Sequence, residues 1–243
     1  MNISIFSDFA ESLPIDLVEI MKVFEGYGFE IRIVGGAVRD VAMGKAPRDI
    51  DVATDASPDE IAFILQSKYE EFGFVLVDPK GIRHGTMAVT TAFGNTYEIT
   101  SLAFSIKESN GRLIINRHRD WKTDALRRDF TVNAMSMGPD GELFDYLDGL
   151  GDLANERIKF VGFYKLRLAL EPIMVLRFAK LATRFKDPKY NISVLKFIRK
   201  NQGLLDGIHP ETLAWFLEEI RNSENPQNAI PILRSIGIAP EIR

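Results

Sequence analysis

Apolar residues recur at helical spacing at Ile15, Leu17, Val18, Ile20, Met21, Val23 and Phe24, behind Ser12 and Pro14, and predict a capped amphipathic helix over residues 12–27. The period then changes. Glu30-Ile31-Arg32-Ile33-Val34 is rich in β-branched residues with partial alternation, and Gly35-Gly36 ends it, which predicts a strand running into a turn. A short helical segment and a loop lead to Asp49-Ile50-Asp51-Val52. There charged and apolar residues alternate, so a strand would carry both carboxylates on one face.

Further along, Ser57-Pro58-Asp59-Glu60 reads as a capping box with proline in the first turn, opening a helix to about Lys68. Phe74–Val77 reads as a short strand, and Thr86–Phe93 with Asn95–Ser101 as a hairpin across Gly94. Residues 105–120 are polar, with a turn at Ser109-Asn110-Gly111 before a short Leu113-Ile114-Ile115 strand. A helix is expected near Thr131, with Asp129 as a candidate N-cap. After a glycine-rich bend from Asp145 to Asp152 the pattern becomes helical. One helix is expected across 167–180, and shorter amphipathic ones at 210–221 and 228–236. The pattern divides at about residue 150, into an α+β portion (1–150) and an all-helical portion (151–243).

Composition adds limits. A chain of 243 residues, 46% hydrophobic and 26% charged, is long enough for one large domain or two smaller ones. No apolar run approaches a membrane span, and Met1-Asn2-Ile3-Ser4 lacks the basic region of a signal peptide. The absence of cysteine removes disulfides and thiolate metal sites and permits a cytoplasmic location, which is the expectation here. The net charge of −4 hides an asymmetry: between Arg157 and Lys200 there are twelve Lys or Arg and only two acids. Positive charge concentrated on one apolar-patterned segment points to a polyanion, although a solvated face is the plainer alternative.

The candidate chemistry gathers in residues 33–54. A Gly-Gly pair after a strand is usually only a turn, but it also lets backbone N–H groups approach a phosphate. Asp-x-Asp occurs by chance on exposed strands, but two neighbouring carboxylates repel and are well served by a divalent cation. The spacing excludes an EF-hand, because Ile50 and Val52 occupy the loop and no glycine or terminal Glu follows in register. A dinucleotide fingerprint fits poorly, because no third glycine opens the helix. His84, His118 and His209 show no ligand spacing.

The stretch Gly35-Gly36-Ala37-Val38-Arg39-Asp40 followed by Asp49-Ile50-Asp51 resembles the head of the class II tRNA nucleotidyltransferase and bacterial poly(A) polymerase family, within the DNA polymerase β-like superfamily. Arg127-Arg128-Asp129-Phe130-Thr131-Val132-Asn133-Ala134 is similar to a second long motif of that family. The resemblance runs from about residue 20 to about residue 220. It implies an α+β protein, with a nucleotidyltransferase head built on a small mixed sheet and a helical, neck-like continuation. By that resemblance Asp49 and Asp51 hold two Mg2+ ions, and Glu98, in a Glu-Ile-Thr segment that matches the family's Glu-Val-Thr, completes the catalytic acids. Gly35, Gly36, Arg39, Arg127 and Arg128 would hold the triphosphate, and Asp129 and Asn133 would lie near the ribose. The family also has a mobile loop in the region of 105–120.

Related enzymes carry Glu-Asp-Pro-Leu-Arg-Met-Leu-Arg where this chain has Leu170-Glu171-Pro172-Ile173-Met174-Val175-Leu176-Arg177. Their Asp and first Arg offer the incoming base an acceptor and a donor. Here Glu171 retains the acceptor and Met174 replaces the donor, with Arg177 and Lys180 at the same spacing of three, which would place all four on one helix face. The implied reaction is addition of AMP or CMP, from ATP and CTP, to an RNA 3′ end without a template, with the tRNA 3′ end as the expected acceptor. Poly(A) addition, a transferase acting on a small molecule or protein, and an inactive RNA-binding module are the competing readings. Oligomeric state is left open.

Overall fold

The computed structural model describes residues 4–68, 75–76, 85–102, 105–109, 112–116 and 120–238. The Phe74 and Val77 ends of the expected strand, the Asn110-Gly111 turn, and His84 and His118 lie outside the described residues. The chain divides into two compact units: Met1–Arg128 with Asn133–Leu150, and Asp129–Val132 with Gly151–Arg243.

The first unit is built on a seven-stranded mixed sheet. Its strands are β1 (Ile31–Val34), β2 (Val52–Thr54), β3 (Val75–Leu76), β4 (Thr86–Thr90), β5 (Thr96–Ser101), β8 (Ser136–Met137) and β9 (Leu143–Phe144), in the spatial order β3-β4-β5-β2-β1-β8-β9. The β2–β5 pair is parallel and the other pairs are antiparallel. A separate two-stranded ladder joins β6 (Ser105–Ser109) to β7 (Arg112–Asn116) within the polar segment. β1 is an interior strand, and all four of its residues are buried, which is why its alternation is weak: Arg32 lies between the rings of Trp121 and Phe144, 4.1 and 3.4 Å from their centroids.

Five helices belong to this unit: α1 (Ser4–Glu11), α2 (Ile15–Gly26), α3 (Gly36–Ala42), α4 (Pro58–Ser67) and α5 (Trp121–Arg127). The capping box of α4 forms as read, with the Glu60 N–H donating to Ser57 Oγ and the Ser57 N–H to Glu60 Oε2. α2 is tied to the β4–β5 hairpin by Asp16, a buried carboxylate that accepts from Thr91 Oγ1 at 2.6 Å, Asn95 Nδ2 at 2.8 Å and the Tyr97 hydroxyl at 2.9 Å. The first arm of that hairpin stops at Thr90 instead of Phe93, because the chain turns at Gly94 (φ 83°), whose N–H returns to the Thr91 carbonyl.

Further expectations differ. Asp49, Ile50 and Asp51 precede β2 instead of lying in it, since strand pairing ends at the Val34 N–H to Asp51 carbonyl bond. The helix expected near Thr131 is a single 3-10 turn at Thr131–Asn133. Thr131 gives its N–H to the Lys159 carbonyl and its hydroxyl to Asp152, bonds to two later segments of the second unit that take the place of helix hydrogen bonding there. Asp129 Oδ1 accepts from the adjacent Phe130 N–H. α5, capped by Asp120 through Thr123, was not anticipated.

After α6 (Gly149–Ala154), the second unit contains α7 (Tyr164–Leu170), α8 (Met174–Ala182), α9 (Ile192–Lys200), α10 (Pro210–Arg221) and α11 (Ile230–Ser235). A run of touching rings, Phe130, Phe160, Phe178 and Tyr190, forms part of its interior, with neighbouring centroids 4.8, 5.4 and 5.0 Å apart. The single helix expected across 167–180 is broken between α7 and α8. Pro172 removes a backbone donor and disfavours helical geometry at the residue before it, and Glu171 accordingly sits at φ −130°, ψ 78°.

Candidate active site

β1 delivers the chain into a turn that only glycine enters easily. Gly35 has φ 73° and ψ −128°, far from the region open to L side chains, and α3 begins at the next residue. A Cβ added at Gly35 would lie 3.3 Å from Nη1 of Arg128, and one at Gly36 would lie 3.5 Å from Nη2 of Arg39. The bare backbone therefore faces two guanidinium groups. Both are anchored. Arg128 gives Nε and Nη2 to Asp124 Oδ2, each at 2.9 Å, one helical turn earlier. Arg39 gives Nε and Nη2 to Asp40 Oδ1, at 2.9 and 2.8 Å, and Nη1 to Asn133 Oδ1 at 2.7 Å. Arg39 is thus largely buried and orients Asn133, whereas Arg127, at the end of α5, is exposed.

The acids meet beside this turn. In the parallel β2–β5 ladder Val52 pairs with Ile99, so continuing the register back by one residue brings Asp51 alongside Glu98 on the same face. Glu98 is exposed between buried Tyr97 and Ile99, the alternation expected of it. Burial raises the Asp51 pKa, the Glu98 and Asp49 charges raise it further, and Arg128 opposes them. Asp51 is exposed, yet it stands within reach of the charges of two further carboxylates. That donor set, three hard oxygen ligands in mutual repulsion, fits a Mg2+ ion. Among the described residues no three such side chains stand close enough together to ligate one ion.

The remaining sequence-read positions, Asp129, Glu171, Arg177 and Lys180, belong to the second unit. Asp129 is part-exposed, and its carbonyl accepts from the Val161 N–H. Glu171 is exposed after α7, with Arg167 Nη1 3.5 Å from its Oε1. Arg177 is exposed on α8, and Lys180 is held by Glu219 at 2.9 Å and by the Trp215 ring at 4.4 Å. Met174 is fully buried. Glu171, Met174, Arg177 and Lys180 therefore do not share a helix face, because Glu171 lies outside α8 and Met174 points into the interior. Sequence reading also missed Asp124, buried and holding Arg128; its signal was the Asp-to-Arg spacing of four on a helix.

Residues 31–159, just over half of the chain, match the model of the poly A polymerase head domain. The chain belongs to the poly A polymerase head domain family. The matched span contains the glycine turn, the three acids, Arg127, Arg128 and Asn133. The mitochondrial CCA tRNA nucleotidyltransferase 1 of Danio rerio is 33% identical over 232 residues, covering 94% of this chain and 53% of that protein. A CCA-adding enzyme of Lactococcus lactis subsp. cremoris is 32% identical over 230 residues, covering 92% of this chain and 55% of its own length. The crystal structure of the Bacillus stearothermophilus CCA-adding enzyme in complex with CTP superposes with a TM-score of 0.76 at 25% identity, covering 91% of this chain and 52% of that one. The expected α+β head fold is the fold observed, and the chain spans about half the length of the curated relatives it matches. No helix among the described residues is long and apolar enough to cross a membrane.

Proposed function

We propose that this head domain family member is a template-independent nucleotidyltransferase that adds CMP and AMP to the 3′ end of tRNA. The observation that carries the reading is the glycine turn facing Arg128, with Asp51, Glu98 and Asp49 beside it. Relatives named as CCA-adding enzymes support the choice of tRNA and of CTP and ATP.

In this reading an RNA 3′-hydroxyl attacks the α-phosphorus of the nucleotide, the new O3′–P bond forms, the P–O bond to the β-phosphate breaks, and pyrophosphate leaves. Gly35 and Gly36 let the backbone approach the triphosphate without a side chain in the way. Arg128, fixed by Asp124, contributes positive charge to the phosphates as charge develops on the leaving group. Asn133, oriented by Arg39, lies in the same unit and is the candidate ribose contact. Asp49 and Asp51 would hold two Mg2+ ions, with Glu98 beside them. When bound, Mg2+ activates the hydroxyl and offsets charge on the leaving oxygens.

The test is to incubate the purified chain with tRNA lacking its terminal CCA, and with unrelated RNA, under each NTP singly and with CTP and ATP together. CMP and then AMP addition confined to tRNA is expected. Repeated adenylation of either RNA would support poly(A) polymerase, the second reading that the family carries. No addition with any nucleotide would overturn both.

A further inference from the structure

In the second unit residues 157–160 run extended beside residues 189–190. Arg157 and Lys189 form a parallel bridge, the Ile158 N–H donates to the Lys189 carbonyl at 2.8 Å, and the Lys189 N–H donates to the Glu156 carbonyl at 2.7 Å. Alternation turns Ile158 and Phe160 inward, while Arg157 and Lys159 remain exposed, as does Lys189 opposite them. Beside this pairing opens a groove of about 420 Å3, within the ~300–1,000 Å3 range of ligand sites.

The lining joins two kinds of group. Arg157, Lys159 and Lys189 supply three cations, and no acid lines the groove. Arg157 shares its charge with Asp152, at 3.2 Å, whereas Lys159 and Lys189 make no ion pair among the described residues. The other group is aromatic: Phe160, Tyr164 and Tyr190. These rings are held in place by others, Tyr164 against Phe197 at 6.0 Å and Tyr190 against Phe178 at 5.0 Å, so little side-chain freedom is lost when something stacks on them.

We propose that this groove seats an unpaired nucleotide of a single-stranded RNA, the base against the tyrosine rings and the flanking phosphates on Lys159 and Lys189. Cations along a groove with aromatic faces between them are what a single strand requires, since its bases are free to stack and its phosphates are regularly spaced. A duplex offers phosphates but keeps its base faces occupied. The choice of RNA over DNA rests on the transferase reading above; the groove chemistry does not.

Fluorescence anisotropy with a short, unstructured, labelled oligoribonucleotide tests this, without NTP or divalent metal. Lys159→Glu combined with Lys189→Glu should weaken binding at least about tenfold and reduce the salt dependence. Tyr164→Ala should weaken it about tenfold. Arg221→Glu with Arg234→Glu, both exposed and outside the groove and the 157–200 segment, changes the net charge equally and should stay within about twofold. Duplex RNA should compete poorly, and ATP should compete only at far higher concentration than the strand. Thermal melts establish that each variant is folded, and the lysine pair remains decisive if Tyr164→Ala is not. Unchanged binding in the lysine pair, equal loss in the control pair, equal affinity for duplex, or ATP binding as tight as the strand would each overturn the proposal. Because no transfer is measured, failure here leaves the catalytic reading standing, and loss of transfer activity leaves this result standing.

Discussion

Arg128 clasps Asp124 with Nε and Nη2 at 2.9 Å each, while its Nη1 lies 3.3 Å from where a Gly35 side chain would begin. One carboxylate on α5 thereby aims a cation at the glycine turn. A charge-assisted bond of this kind contributes about 1.5–3 kcal/mol. Asp124→Ala should raise the KM for the nucleotide about tenfold or more, with a melting temperature lowered only by the loss of this pair. Steady-state kinetics with varied ATP or CTP measures it. An unchanged KM would mean that Arg128 does not touch the triphosphate.

Met174 tests the second unit. Sequence spacing aligned it with Glu171 and Arg177 on one helix face, which the family resemblance implied reads the base, and on that view Met174→Arg would restore a donor. Its complete burial gives the opposite expectation. A guanidinium forced into an apolar interior without a partner costs several kcal/mol. Met174→Arg should therefore lower the melting temperature sharply or yield unfolded protein, as seen by circular dichroism. A folded variant with sharper discrimination among the four NTPs would contradict the placement of α8.

Asp16 gives a dependence on pH. Its burial pushes the pKa up, but hydrogen bonds from Thr91, Asn95, Tyr97 and the Leu17 N–H outweigh that and hold it below the ordinary 3.8. A folded-state pKa below the unfolded one means that the carboxylate's contribution is fully present above 3.8 and is lost as pH falls from there through the lower folded value. Asp16→Asn should cost about 1–3 kcal/mol near neutral pH by disturbing three side-chain donors. Urea melts from pH 7 to pH 3 should show the wild type and variant converging at the acid end. Parallel curves would contradict the assignment.

Much of this was legible where local chemistry decides the structure. Ser57 and Glu60 announced a capping box, Gly35 a backbone no other residue adopts easily, and the Tyr97-Glu98-Ile99 alternation a strand with Glu98 outward. The misreadings came where distant residues or a single proline override the pattern. Thr131 is drawn out by Lys159 and Asp152, residues far along the chain that no local period reveals. The spacing of Glu171 to Met174 suits one helix, and Pro172 between them breaks it. The Arg39 bond to Asn133 spans 94 positions, so no local pattern revealed that anchoring.

The central claim is that Asp49, Asp51 and Glu98 form the acidic centre of a metal-dependent transferase. Its most direct test is single-turnover nucleotide addition by Asp49→Ala and Asp51→Ala at saturating tRNA and nucleotide, with circular dichroism to establish that the fold is kept. Removing one carboxylate from a mutually repelling group should leave stability unchanged or slightly raised. Transfer should fall below about a tenth of the wild-type rate in each variant, a barrier increase above ~1.4 kcal/mol. Either folded variant retaining more than that rate would contradict the account.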